Sequence, residues 1–488
     1  MKIKIINFLK THGVFIFIFL TFFTFSFLNL NRELFIDWDE CLYSVYPLEM
    51  KKSANFLVNQ WNGYLDLQKP PLYSWFLQLS FSLGRNEFYP RLLSLFASTL
   101  ILIVFYFFTA NYFSPFVAST GTLFILLSDV FIFYSQKLNT DIFYSLFIFL
   151  GFIFWKTKKT NLNSILAGFF FGLAVMVKGL SILPFILAIF LSLFLKKEKK
   201  DFNRFLIFIT IFFITIFPWH VLTWLKYKKD FIQVYLIENL IQRSRYPIEF
   251  HFGGRKFYLE ILFKQYSLWL ILIIYYCYSF ISQKEPIFKK IAKEKLSLTL
   301  LFFIFIPLIF YSQVKTKISW YLMPIYPFLS LFLGINLEKF LKNRSIFIKL
   351  FFLTILIVSS IANIKNHIPL QRKEISPRNE IALIIKKQPQ KTLYYLVPHY
   401  ERTAKALLDQ NPQLKIRSTF IYGGNPCMVY YSQKKVYYFY SIEEFKKSFK
   451  KNRLLLIENN DLPLIKDLPK KIIYQNKEFT AFELKTYL

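Results

Sequence analysis

The sequence predicts a multi-pass all-α membrane domain over residues 1–363, followed by a small soluble α/β domain over 364–488 outside the cytoplasm. Three observations carry this. Apolar residues make up 55% of the 488 and charged residues only 18%, below what the surface of a soluble protein this size requires. Apolar runs near the length of a membrane helix recur along the first three quarters of the chain. After about residue 370 hydropathy falls and short strand-like runs replace them. With 13 Gly and 20 Pro, a collagen-like or disordered chain is excluded.

A helix rises about 1.5 Å per residue, so about 20 apolar residues cross a hydrocarbon core about 30 Å thick. Eleven spans are predicted, near 13–30, 91–110, 115–134, 141–155, 164–178, 180–195, 205–224, 257–282, 297–312, 319–337 and 346–363. The fifth and sixth divide at Lys178-Gly179. The first has no small-residue cleavage site after it and is read as a retained span.

Lys2, Lys4 and Lys10 place the N-terminus in the cytoplasm, and alternation puts the loops near 156–163, 196–204, 283–296 and 338–345 on the same side. All four are short and rich in Lys, with Lys158, Lys197, Lys289 and Lys342 among them. The net charge of +32 is therefore read as a positive-inside bias rather than nucleic-acid binding. The remaining connections, including 31–90, 225–256, 313–318 and the tail, face outward.

The first outer loop is too long to be a mere connector. Met50, Ala54, Leu57, Val58 and Trp61, then Leu72, Trp75, Phe76, Leu79 and Leu83, recur at helical spacing and predict two amphipathic helices at the membrane surface. In the tail, Ser376-Pro377 opens a helix. Strands are predicted at 392–397, 416–422, 429–432, 436–440, 454–457 and 472–474, and Ser441 with Glu444 forms a capping box. The three cysteines, Cys41, Cys277 and Cys427, are widely spaced and suggest neither a disulfide framework nor a zinc module.

The candidate chemistry lies on the outward side. Asp37, Asp39 and Glu40 follow the first span directly. They read either as a solvated helix start or as a general base facing a membrane-bound substrate. Lys69, between Gln68 and Pro70-Pro71, sits on a turn stiffened by proline, where an ammonium can snorkel or grasp a phosphate. Tyr73 follows it, and Arg91 begins the second span. Asp141 opens the fourth span, where capping alone would account for it. Lys178 interrupts two apolar runs. Glu238, Arg243 and His251 share one outer loop, and Lys315 lies in another. Together these carboxylates and cations suit group transfer at an anionic lipid headgroup. A transporter is the competing class; it would keep its ionisable residues near the midplane, often in broken helices and repeats, which are scarce here.

The order of these motifs resembles the GT-C superfamily of membrane glycosyltransferases, nearest to the 4-amino-4-deoxy-L-arabinose lipid A transferases and protein mannosyltransferase-like enzymes. The residues that carry it are Asp39-Glu40, Gln68-Lys69-Pro70-Pro71-Leu72-Tyr73, Tyr89-Pro90-Arg91, the stretch from Ser128 to Asp141, and Gly172 to Gly179. Pro218-Trp219-His220 and Tyr321 to Pro327 continue it, so the likeness covers about 37–330.

The resemblance implies an inner-membrane enzyme of GT-C fold that moves a sugar from a polyprenyl-phosphate donor to an acceptor outside the cytoplasm. That acceptor would be lipid A, another glycolipid, a polysaccharide or a protein. It implies Asp39 as the carboxylate at the reaction centre and Asp141 as a second one. Lys69 and Arg243 would hold the donor phosphate, with Arg91 and Lys178 as further cations. Glu40, Tyr73, Glu238, His251 and Lys315 are additional candidates. The resemblance fixes no cofactor; a divalent metal would have Glu238 and His251 as ligands. Three positions depart from the pattern nearest the lipid A enzymes: Gln68 where they have Glu, Leu42 where they have Arg, and Glu238 where they have a metal-associated His.

Overall fold

The computed structural model describes residues 2–35, 38–194, 199–247, 251–282, 295–367, 374–398, 425–448 and 453–484. The expected strand at 416–422, Asp37 and most of the 283–296 loop lie outside these residues. The chain forms two compact units. One comprises residues 1–30, 88–226 and 243–370; the other comprises 31–87, 227–242 and 371–488.

The first unit is helical. Among the described residues, eight helices are long and apolar enough to cross a membrane. They include Thr11–Asn29, Phe88–Tyr112, Asn161–Lys178, Leu296–Gln313 and Ile346–His367. The other three of the eleven expected spans fall on shorter helices, among them Pro115–Leu126 and Thr140–Lys156, so length and apolarity yield eight spans rather than eleven. The break at Lys178 is as expected. Gly179 takes φ +79°, a conformation glycine adopts without strain, and its N–H closes on the Val175 carbonyl at 2.6 Å. A Cβ on Gly168 would stand 2.3 Å from the Phe208 carbonyl, so this glycine permits two helices to pack backbone to backbone.

The second unit joins residues 31–87 and 227–242 to the tail. Helix Trp38–Ser53 ends where Ala54 turns left-handed, and β1 (Asn59–Trp61) and β2 (Tyr64–Asp66) form a hairpin. The predicted helical stripe from Met50 to Trp61 is thus broken. Its physical reason is the Asn62-Gly63 dipeptide, whose φ values of 53° and 81° suit the tight turn that matches strand twist. The second predicted helix forms at Leu72–Leu83, with Trp75, Leu79 and Leu83 exposed.

In the tail, strands β3 (Thr392–Leu396), β4 (Lys435–Phe439), β5 (Leu454–Glu458), β6 (Lys470–Gln475) and β7 (Phe479–Leu484) make one sheet in the order β4-β3-β5-β7-β6. The first three strands are parallel, and β7 runs antiparallel to β5 and β6. Tyr394 and Leu396, Leu455 and Ile457, and Phe482 and Leu484 alternate onto one face and form the core with Phe439 and Phe445. Residues 426–432 form a helix rather than the predicted strand: Asn425 caps it by accepting from the Met428 N–H, and Pro426 suits its first turn. Ser376 and Ser441 cap their helices as predicted.

Cys41 and Cys427, 386 residues apart, form a disulfide, contrary to the spacing argument. Around it, Asn379 Nδ2 donates to the Phe35 carbonyl at 2.7 Å and Tyr431 donates to Glu87 at 2.8 Å. Asn62 donates to the Val436 carbonyl and accepts from its N–H, at 2.8 and 2.9 Å. Its amide thus completes the free edge of β4 as a neighbouring strand would.

Candidate active site

In the second unit, helix Trp38–Ser53 presents Asp39, Tyr43 and Tyr46 at i, i+4 and i+7, one stripe of its surface. Asp39 is half-buried, whereas Glu40 is buried and its carbonyl accepts from Ser44 Oγ at 2.7 Å. Lys69 Nζ donates to Tyr43 Oη at 2.7 Å, one helical turn beyond Asp39. Tyr73 is buried, with its ring edge-on to that of Tyr43 at 5.3 Å.

The turn that carries Lys69 is held by its neighbours' side chains. Asp66 accepts from the Gln68 N–H at 2.9 Å, Asn59 Nδ2 donates to the Lys69 carbonyl at 3.1 Å, and Asn239 Nδ2 donates to the Gln68 carbonyl at 2.7 Å. Asn59 in turn accepts from Ser74 Oγ at 2.7 Å. Asn239 and Glu238 come from a π-helical stretch, Ile232–Gln242; Glu238 is buried and accepts from Gln233 at 3.2 Å. Tyr46 donates to Asp66, and burial together with that carboxylate holds its phenol well above the usual range, so it stays protonated. Burial also raises the Glu49 carboxyl, which accepts from the Gly63 N–H at 2.9 Å.

The first unit holds the other candidates. Lys178 and Asp141 form an ion pair with side chains 8% and 1% exposed, and the Lys178 ammonium lies 4.3 Å from the centre of the Tyr321 ring. Arg243 and His251 are brought to Lys315 by backbone pairing. The N–H groups of Lys315, Thr316 and Lys317 donate to the carbonyls of Ser244, Arg243 and His251 at 2.9, 3.4 and 3.0 Å. Thr316 Oγ1 adds bonds to the carbonyls of Arg243 and Tyr246, each at 2.9 Å. The Lys315 side chain is exposed, and the His251 ring stands edge-on to Trp320. Lys317 caps the end of helix Lys295–Gln313 by donating to the carbonyls of Tyr311, Ser312 and Val314, and burial lowers its pKa. Arg91 is apart from these; it is buried and donates to the Leu30 carbonyl at 3.1 Å.

Among the described residues, no group of three or more His, Cys, Asp or Glu side chains is arranged to hold a metal ion. Sequence reasoning missed Tyr43, Tyr46, Asp66 and Asn59. The i, i+4, i+7 series from Asp39 was a legible signal for the first two; the others become relevant only through the hairpin.

Residues 68–224 match the family "Dolichyl-phosphate-mannose-protein mannosyltransferase". A protein of Aquifex aeolicus (strain VF5) is 28% identical over 342 residues, 66% of this chain and 64% of that one. The undecaprenyl phosphate-alpha-4-amino-4-deoxy-L-arabinose arabinosyl transferase of Wigglesworthia glossinidia brevipalpis is 26% identical over 329 residues, 64% of this chain and 56% of that one. The chain thus spans less than two thirds of either relative's length. In fold, it resembles ArnT from Cupriavidus metallidurans, solved bound to undecaprenyl phosphate, with a TM-score of 0.72, 13% identity, and 96% and 98% of the two chains covered. The oligosaccharyltransferase AglB of Archaeoglobus fulgidus, solved with an inhibitory peptide and a dolichol-phosphate, is similar at a TM-score of 0.53 and 12% identity, covering 98% of this chain and 74% of that one. The chain has the fold of the GT-C membrane glycosyltransferases, as its motif series implied. Among these, its fold matches that of ArnT over nearly the full length of both.

Proposed function

We propose that this protein is a membrane glycosyltransferase that moves a sugar from a polyprenyl-phosphate donor to a hydroxyl of an acceptor outside the cytoplasm. The observation that carries the reading is the 2.7 Å bond from Lys69 to Tyr43, one helical turn from Asp39. It ties a cation suited to a phosphate to the helix that carries a carboxylate suited to a proton. The undecaprenyl phosphate bound to ArnT, which shares this fold, and the family match at 68–224 support the donor class.

In the proposed reaction the acceptor oxygen attacks the anomeric carbon as that carbon's bond to the phosphate oxygen breaks. Asp39 takes the acceptor's proton, and polyprenyl phosphate leaves with the electron pair. Lys69 binds that phosphate more strongly as its negative charge grows, which lowers the barrier. Asp141 acts through Lys178, compensating its charge inside an apolar helical unit. Glu40, Tyr73 and Glu238, in the same unit as Asp39, support the site. An outward orientation is favoured by the cytoplasmic-type Lys loops and by the Cys41–Cys427 disulfide, because such bonds persist in oxidising compartments.

The test is incubation of the purified protein with radiolabelled polyprenyl-phosphate sugars and membrane extract. Label moving to an acceptor, and lost in Asp39→Asn, is the expected result. Donor crossing vesicles without transfer, at a rate indifferent to Asp39, would identify a flippase instead.

A further inference from the structure

We infer that Tyr46 and Asp66 form a positioning pair that sets the Gln68–Pro71 turn and so aims Lys69 at the donor phosphate. This rests on the donor site proposed above. Both residues are buried, at 4% and 6% exposure, although one is a phenol and the other an acid. The two oxygens of Asp66 divide the work: one accepts from Tyr46 on the Asp39 helix, the other from the Gln68 N–H directly before Lys69. Pro70 and Pro71 contribute no N–H, so the turn has two fewer backbone donors and leans on side-chain anchors. Asn239 and Asn59 hold the carbonyls of Gln68 and Lys69, and Asp66 holds the N–H at the entry of the turn. Tyr46 lies one turn beyond Tyr43, which receives the Lys69 ammonium, so one helical face grips the turn at both its backbone and its cation. Removing the Tyr46 hydroxyl leaves a buried carboxylate short of a donor. Its rotation toward another partner would open the turn.

The experiment measures binding of undecaprenyl phosphate to the full-length protein in nanodiscs, with turnover on a polyprenyl-phosphate sugar and melting temperature in parallel. Tyr46→Phe should raise the Kd about tenfold while turnover at saturating donor stays within about twofold. Asp66→Asn, which keeps an acceptor for Gln68 and can donate to the Tyr46 oxygen, should recover most of that affinity and gives a second reading if Tyr46→Phe folds poorly. Because the pair acts through Lys69, Tyr46→Phe combined with Lys69→Ala should bind no worse than Lys69→Ala alone. Multiplying losses in the double variant, or wild-type Kd in Tyr46→Phe, would overturn the inference while leaving the donor site intact. Wild-type Kd in Lys69→Ala would remove the donor site, and this inference with it.

Discussion

Asp141 and Lys178, at the ends of two apolar helices, close on one another as a buried ion pair. The pair explains how a lysine can end one membrane-type helix while an aspartate begins another. Each charge compensates its partner where water does not, and the Tyr321 ring supplies a further favourable face to the ammonium.

Breaking that pair should therefore cost more than deleting it. Lys178→Met leaves the Asp141 carboxylate uncompensated, and about 3–5 kcal/mol of stability is at stake. We expect sharply reduced folded yield and melting temperature for this variant, measured by fluorescence-detected size exclusion. Lys178→Met with Asp141→Asn should restore much of the yield. Equal yields for the single and double variants would show that the pair is not structurally coupled.

Asp39 distinguishes a cap from a base. An Asn caps a helix about as well as an Asp but carries neither charge nor basicity. Asp39→Asn should express and bind donor normally, yet lose transfer by about a hundredfold or more. Asp37→Asn, two positions earlier, should stay near wild type. Normal turnover in Asp39→Asn would move the reaction centre elsewhere.

Lys69→Ala and Arg243→Ala should each weaken binding of polyprenyl-phosphate sugar by about ten- to hundredfold, since a charge-assisted contact contributes about 1.5–3 kcal/mol. Folded yield should change little. Equilibrium binding to protein in detergent micelles checks this, with wild-type affinity in both variants as the contrary result.

The Cys41–Cys427 bond closes a very long loop and should add about 2–5 kcal/mol to the stability of its unit. Cys41→Ser is expected to melt lower, and the wild type should do so in reductant. Thiol alkylation on non-reducing gels should find Cys277 reactive and the other two protected until reduced. Free thiols at all three positions in protein taken directly from membranes would refute both the bond and the oxidising location.

Orientation is open to a separate measurement. A C-terminal alkaline phosphatase fusion should be active, and a green fluorescent protein exported by the same route should be dark. A bright fusion would reverse the topology drawn from the Lys-rich loops.

The sequence by itself determined the class of the molecule. Apolar runs of membrane length and Lys-rich short loops are local properties, and they located eleven helical segments of which eight are long enough to span. Helix starts at Ser376 and Ser441, the break at Gly179 and most tail strands were also legible, because a cap or a period-two stripe involves residues close in the chain. What only the tertiary structure decided is which distant residues meet. Cys41 finds Cys427, Asn62 clasps Val436, Lys69 reaches Tyr43, and Asp141 pairs with Lys178 across separations of 26 to 386 residues. Such partners are selected by burial and by the need to satisfy polar groups far apart in sequence, and no local pattern encodes that choice. The helix at 426–432 shows the same limit in small: its β-type residues were overruled by an Asn cap and by packing against the Asp39 helix.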